Sequence, residues 1–239
     1  MTVRSMQPVL VACSHGTRSA RGAAAVAALV EAVGRALPDT EVVGTWVDVQ
    51  EPALPEVAER FSRRDAVVVP LLLSAGYHVH HDIAQVVARR PGHVAAAPLG
   101  PHESVLDVLV TRLDEQGLTH DDVVVLGASA SSDPRALADL RRTASGLSDR
   151  LGRPVELGHV GHCGTPLSDV VSRVRRPGRR VLVASHLLAP GHFHDALGRA
   201  GADVVTAPLL DERHPDPGLV SLVVQRYGDA LGRGLAAAV

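Results

Sequence analysis

Three histidines stand within four residues at His78, His80 and His81, in the segment Ser74-Ala75-Gly76-Tyr77-His78-Val79-His80-His81-Asp82. Packing seldom explains such a density of imidazoles. A neutral imidazole can ligate a metal or accept a proton near neutral pH. In an extended loop His78 and His80 alternate in direction, and His81 opens the helix that follows. Asp82 then falls in that helix's first turn, where negative charge is favourable. A second cluster is Cys13-Ser14-His15-Gly16-Thr17-Arg18, directly after an apolar run. Gly16 lets the backbone turn there, and His15 alone reads first as a histidine satisfied by a neighbouring backbone group. Carboxylates come from Trp46-Val47-Asp48-Val49-Gln50-Glu51-Pro52. Asp48 is the stronger candidate, and Glu51 before Pro52 reads first as a plain loop residue. His102, in Pro98-Leu99-Gly100-Pro101-His102, reads as a capping neighbour of the next helix. Two imidazoles and a carboxylate suit a divalent first-row metal with open positions. That chemistry serves metal insertion and metal-assisted hydrolysis alike, and spacing does not separate them.

These loops need a frame. Short Val-rich runs cover 8–13, 41–49, 66–73, 93–99, 122–129, 154–160, 179–188 and 203–210. Runs this apolar read as parallel strands buried on both faces. Helical patterns lie between them at 20–36, 53–63, 80–90, 103–116, 134–149, 166–175 and 218–234. The alternation predicts an α/β fold with open parallel sheets in flavodoxin-like layering. Ligands on such sheets bind beyond the carboxyl ends of the strands, where the histidine loops fall. The order of elements also repeats. LLLSAGYHVHHDI (71–83) sets beside HLLAPGHFHDAL (186–197), and VACSHGTRS (11–19) beside LGASASSDP (126–134). Two copies of one α/β unit are expected, residues 1–118 and 119–239, joined near Gly117–His120.

Composition bounds the partners. Of 239 residues, 46% are hydrophobic and 21% charged, which fits a globular chain. A net charge of −2 and the lack of a basic stripe or aromatic platform argue against nucleic acid. No apolar stretch reaches the length of a membrane span, and the N-terminus does not read as a signal peptide. Cys13 and Cys163 match no zinc spacing and are expected as reduced thiols in a cytoplasmic protein.

SHGTR after a first strand, then PLLLSAGYHVHHDI, then APLGPH, resembles the sirohydrochlorin chelatase family of class II tetrapyrrole chelatases. The resemblance is good over roughly residues 8–115 and looser over 122–235. Short members of that family have one unit and dimerise, and long members carry two units in one chain. The resemblance implies catalysis and metal contact by His15 and His78. It implies a carboxylate at the end of the second strand, commonly Glu, where this chain has Asp48; Glu51 stays open as a substitute. Ser14, Arg18, Ser74 and Gly76 are the expected substrate contacts in the same loops. In the second unit Ala130 is set against His15, so one active site per chain is expected. Gly191-His192-Phe193-His194-Asp195 is left to wall the cleft or hold the substrate, and His159, His162 and His186 are kept as a possible second metal group.

The implied reaction is insertion of Fe(II) or Co(II) into sirohydrochlorin, for siroheme or cobalamin, with the metal as substrate and no organic cofactor. Imidazole favours these ions over Mg(II). A monomer with two pseudo-symmetric units would hold the tetrapyrrole between them. The alternative is a non-catalytic metal or tetrapyrrole carrier. A histidine phosphatase fits less well, because Ser14 stands where its phosphate-clamping Arg would be. A nucleotide-binding protein lacks its glycine fingerprint here.

Overall fold

The computed structural model describes residues 7–76, 79–211 and 214–237. The first half runs β1 (Val9–Ser14), α1 (Ala20–Ala36), β2 (Val42–Trp46), α2 (Leu54–Arg60) and β3 (Ala66–Pro70), then a π-helical turn (Val79–Ile83), α3 (Ala84–Ala88), β4 (His93–Ala95) and α4 (Glu103–Asp114). The second half runs β5 (Val123–Ser129), α5 (Pro134–Leu151), β6 (Val155–Val160), α6 (Leu167–Val174), β7 (Val181–His186), α7 (His192–Gly198), β8 (Val204–Val205) and α8 (Pro217–Ala237). Every residue of β1, β3 and β7 is buried, as central strands covered on both faces require.

Two four-stranded sheets result, in the orders β2-β1-β3-β4 and β6-β5-β7-β8, and every pairing is parallel. The same order appears twice, as duplication predicts. In each sheet the chain leaves the first strand toward one side and the third toward the other. A crevice therefore opens between the carboxyl ends of β1 and β3, and again between β5 and β7. The strands are shorter than the apolar runs at 41–49, 93–99 and 203–210, where β2, β4 and β8 stop at Trp46, Ala95 and Val205. Pro52, Pro98 and Pro208 follow these edge strands, where a residue that cannot donate to a ladder is tolerated.

The last helix of each half crosses to the other. α4 packs on α5 and β7, whereas α8 packs on α1, β3 and β4. An arginine pins each crossing. Arg112 of α4 donates to the carbonyls of Pro208 (3.1 Å) and Leu209 (3.1 Å). Arg226 of α8 donates to those of Pro98 (2.8 Å) and Leu99 (3.4 Å). The largest hydrophobic cluster is accordingly common to both halves, with Leu10, Val69, Leu106, Leu126, Leu182 and Leu222 among its members. Neither half completes its core without a helix of the other. Among the described residues no helix is long and apolar enough to cross a membrane.

Candidate active site

His15 follows β1 without an intervening residue and is exposed on the rim of the first crevice. Its backbone is fixed by the loop after β2. The N–H of Val47 donates to the Ser14 carbonyl (3.0 Å) and that of Asp48 to the His15 carbonyl (3.1 Å). The Thr17 N–H donates to Oε1 of Gln50 (2.7 Å), closing the two loops on each other. Gly16 sits between them at φ +102°, and a β-carbon there would stand 2.0 Å from the Asp48 carbonyl oxygen. Val49, exposed and β-branched, is held at φ +54° beside it. Strain of this kind persists where surrounding contacts over-determine the backbone.

Asp48 lies two residues beyond the end of β2 rather than in the strand, because the chain bends as the ladder reaches His15. Its Oδ1 accepts from the Val49 N–H (2.8 Å), and the residue is exposed beside His15. Glu51 is engaged elsewhere, accepting from the Ala53 N–H (2.8 Å) ahead of α2. His102 is a capping residue, its Nδ1 accepting from the Ser104 N–H (3.1 Å) at the start of α4. Ser14 is buried, and its hydroxyl has no partner among the described residues. Arg18 is exposed on the loop between His15 and α1. Cys13 is buried beside the turn that carries Asp82, and burial, then the negative charge of Asp82, push its thiol up to about 12. It offers no thiolate, so the donors on this rim are imidazole and carboxylate.

The loop after β3 rises on the other side of the same crevice. Ser74 and Gly76 are half-buried in it. His78 lies outside the described residues. The chain re-enters as a π-helical turn holding His81 and Asp82, where a plain α-helix from residue 80 was expected. Such turns recur at functional sites. His81 Nδ1 lies 2.8 Å from Nε2 of Gln85. One anchor of this loop comes from the second half: Oδ2 of Asp139, on α5, accepts from the Ala75 N–H (2.8 Å). Nothing in the sequence singles out Asp139, which reads as one polar residue in a helical pattern.

The structure moves the correspondence between the halves by one residue. Ser14 pairs with Trp46, which bridges to Ala53; Ala128 pairs with His159, which bridges to Pro166. Ser19 and Asp133 cap the following helices, and each takes its own backbone N–H to a hydroxyl two residues earlier, on Thr17 and on Ser131 (3.1 Å in both). Ser129, not Ala130, therefore stands in the place of His15. A short polar loop has no apolar periodicity to fix its register, which is why the alignment slipped. A hydroxyl does not supply imidazole chemistry, so the second loop still lacks its histidine.

The group of His159, His162 and His186 does not form a metal centre. His159 and His186 flank Ala128 on neighbouring strands, two strand spacings or about 9–10 Å apart at the backbone. His162 lies in the exposed turn beyond β6, and no trio of His, Cys, Asp or Glu among the described residues could hold a metal ion. His186 instead occupies the place that Leu71 fills in the first half. It is buried, its Nε2 has no partner among the described residues, and burial pushes it down to about 4. Unfolded histidine takes up its proton near pH 6.5, so stability is lost as pH falls from there toward 4. The loss should reach about 2–3 kcal/mol by pH 4.5. His186→Leu should remove that slope. Urea midpoints of the two proteins at pH 7 and pH 4.5 check it, and an unchanged gap between them would refute the assignment.

Comparison with known proteins finds relatives of the same fold. The CbiX family model matches residues 9–116, the span of the first-half loops. Sirohydrochlorin ferrochelatase from Bacillus subtilis is 25% identical over 212 residues, 81% of this chain and 79% of that protein. Sirohydrochlorin cobaltochelatase from Priestia megaterium is 29% identical over 141 residues, 54% of this chain and 46% of its own length. The structure of SirB from Bacillus subtilis with Fe3+ superposes with a TM-score of 0.81 at 21% identity, over 97% of this chain and 98% of the other. That last likeness speaks to the fold, and the fold is shared from end to end. The chain is thus similar to the sirohydrochlorin chelatases over the loops of its first half and shares the fold of SirB along its whole length.

Proposed function

We propose that this protein inserts Fe(II) or Co(II) into sirohydrochlorin, with the metal as substrate and no organic cofactor. One observation carries the reading. The family match over residues 9–116 contains both loops that the fold brings to the β1–β3 crevice, and one of them presents an exposed His15 tied to the Asp48 loop. Insertion replaces two pyrrole protons by one divalent ion. His15 and His78 take up those protons and guide the metal, and Asp48 relays a proton to solvent. Asp48 suits that role better than Glu51, whose carboxylate is engaged ahead of α2. Arg18, exposed on the same loop as His15, receives substrate carboxylates. Ser14, Ser74 and Gly76 line the same crevice. In this reading residues 1–118 hold the catalytic set and 119–239 cover the cleft, in a cytoplasmic monomer.

The test is a side-by-side metallation assay. Sirohydrochlorin absorbance is followed after addition of Fe(II), Co(II), Ni(II) or Mg(II) to the purified protein. Catalysed insertion of Fe(II) or Co(II), with Mg(II) inert, is the expected result, because imidazole donors favour the later first-row ions. Stoichiometric binding of sirohydrochlorin without turnover would make the protein a carrier.

A further inference from the structure

Each half presses its third-strand loop against the first helix of the other. Gly76 faces Ala136 near the start of α5, at 3.6 Å for an added β-carbon. Gly191 lies against Thr17 and Ser19 at the start of α1, and a β-carbon on Gly22 would stand 2.3 Å from the Pro190 carbonyl oxygen. The two contacts occupy equivalent places, with Gly22 corresponding to Ala136 and Ala75 to Pro190. They differ in one respect. Ala75 has an N–H, and Asp139 of the opposite helix accepts it at 2.8 Å. Pro190 has no N–H, and the residue corresponding to Asp139 is Ala25. Donor and acceptor are thus both present on the catalytic side and both absent on the other.

We propose that Asp139 is a positioning residue by which the second half holds the Ser74–Gly76 segment in place for metal insertion. This rests on the reaction proposed above. The carboxylate is well placed for it, being 8% exposed and held from behind by Arg142 (3.1 Å). A buried carboxylate accepting a backbone N–H is a strong and directional anchor. Its counterpart loop around Gly191 carries no catalytic histidine in this reading and needs no such anchor. The second half, whose own first loop has no histidine, would then serve by setting the geometry of its partner's loop.

Asp139→Ala, Asp139→Asn and Arg142→Ala are compared with wild type in the full-length chain. Hydrogen exchange at the Ala75 amide reads the anchor, and kcat and KM for Co(II) insertion into sirohydrochlorin read its consequence. Asp139→Ala should speed exchange at Ala75 and lower kcat by about tenfold or more, with a smaller change in KM. Asp139→Asn keeps an oxygen that can accept the N–H while losing its charge toward Arg142. It should therefore stay close to wild type in both readouts, and Arg142→Ala, which removes only a largely exposed partner, should move both far less than Asp139→Ala. The proposal is overturned if Asp139→Ala leaves Ala75 exchange and kcat unchanged, or if Asn is as damaging as Ala. Should the wild type not metallate at all, the reaction assignment falls by itself, and exchange at Ala75 still decides the anchor.

Discussion

Replacing His15 with alanine is expected to lower the rate of metal insertion by about 100-fold or more while leaving the melting temperature unchanged. The two halves of that statement have separate grounds. His15 is exposed, and the local fold is held by its backbone, whose carbonyl accepts from the Asp48 N–H (3.1 Å). Removing the ring leaves that bond, Gly16 and the Gln50 contact in place. The rate falls because neither Cys13 nor Glu51 replaces the imidazole. Cys13 is held as a buried, neutral thiol, with its pKa raised to about 12. Glu51 is committed to the Ala53 N–H (2.8 Å). The His78→Ala variant should fall comparably. The double variant should be little worse than either single one, since groups that act as a unit lose their effect together. Absorbance-monitored metallation with melting curves on the same samples checks this. Wild-type rates in both single variants would remove His15 and His78 from the site.

Much of this arrangement is legible in the sequence, for a physical reason. Strands buried on both faces must be continuously apolar, so VLVAC and AVVVP announce themselves, and a polar residue placed directly after such a run falls on the carboxyl rim. His15 and the Ser74–Asp82 segment are found that way. The family resemblance then supplies the substrate, which no spacing could. What escapes is whatever depends on contacts between distant parts of the chain. Asp139 meets Ala75 across 64 residues and Arg112 meets Pro208 across 96. On their own helices both residues look like ordinary polar positions. The exchange of α4 and α8 escapes for the same reason, because the sequence says that a helix follows β4 but not which sheet it covers. The one-residue slip at Ser129 and Ala130 has a different cause: loops carry no periodic signal, and only strand pairing fixes their register.

Gly16→Ala is expected to cost roughly 2–4 kcal/mol of stability and to remove most of the activity, although the added methyl touches neither metal nor substrate. Two penalties act at once. At φ +102° an L side chain is strained whatever space surrounds it. The added carbon would also meet the Asp48 carbonyl oxygen at 2.0 Å and Cγ2 of Val49 at 2.8 Å. A side chain could swing aside, but the nearer atom belongs to backbone that is itself bonded to His15, so relief must come from separating the two loops. That separation breaks the Asp48-to-His15 bond and draws the imidazole away from Asp48. Gly117→Ala provides the control. Gly117 also has positive φ, +65°, but a β-carbon there meets nothing within 4 Å. It should cost only the conformational penalty, about 1 kcal/mol, and leave metallation untouched. Urea denaturation and metallation rates on the two variants separate the causes. If Gly16→Ala proves as mild as Gly117→Ala, the apposition of the His15 and Asp48 loops does not constrain the site. A large loss confined to Gly16 would mean that the pressed backbone of these two loops sets where His15 stands.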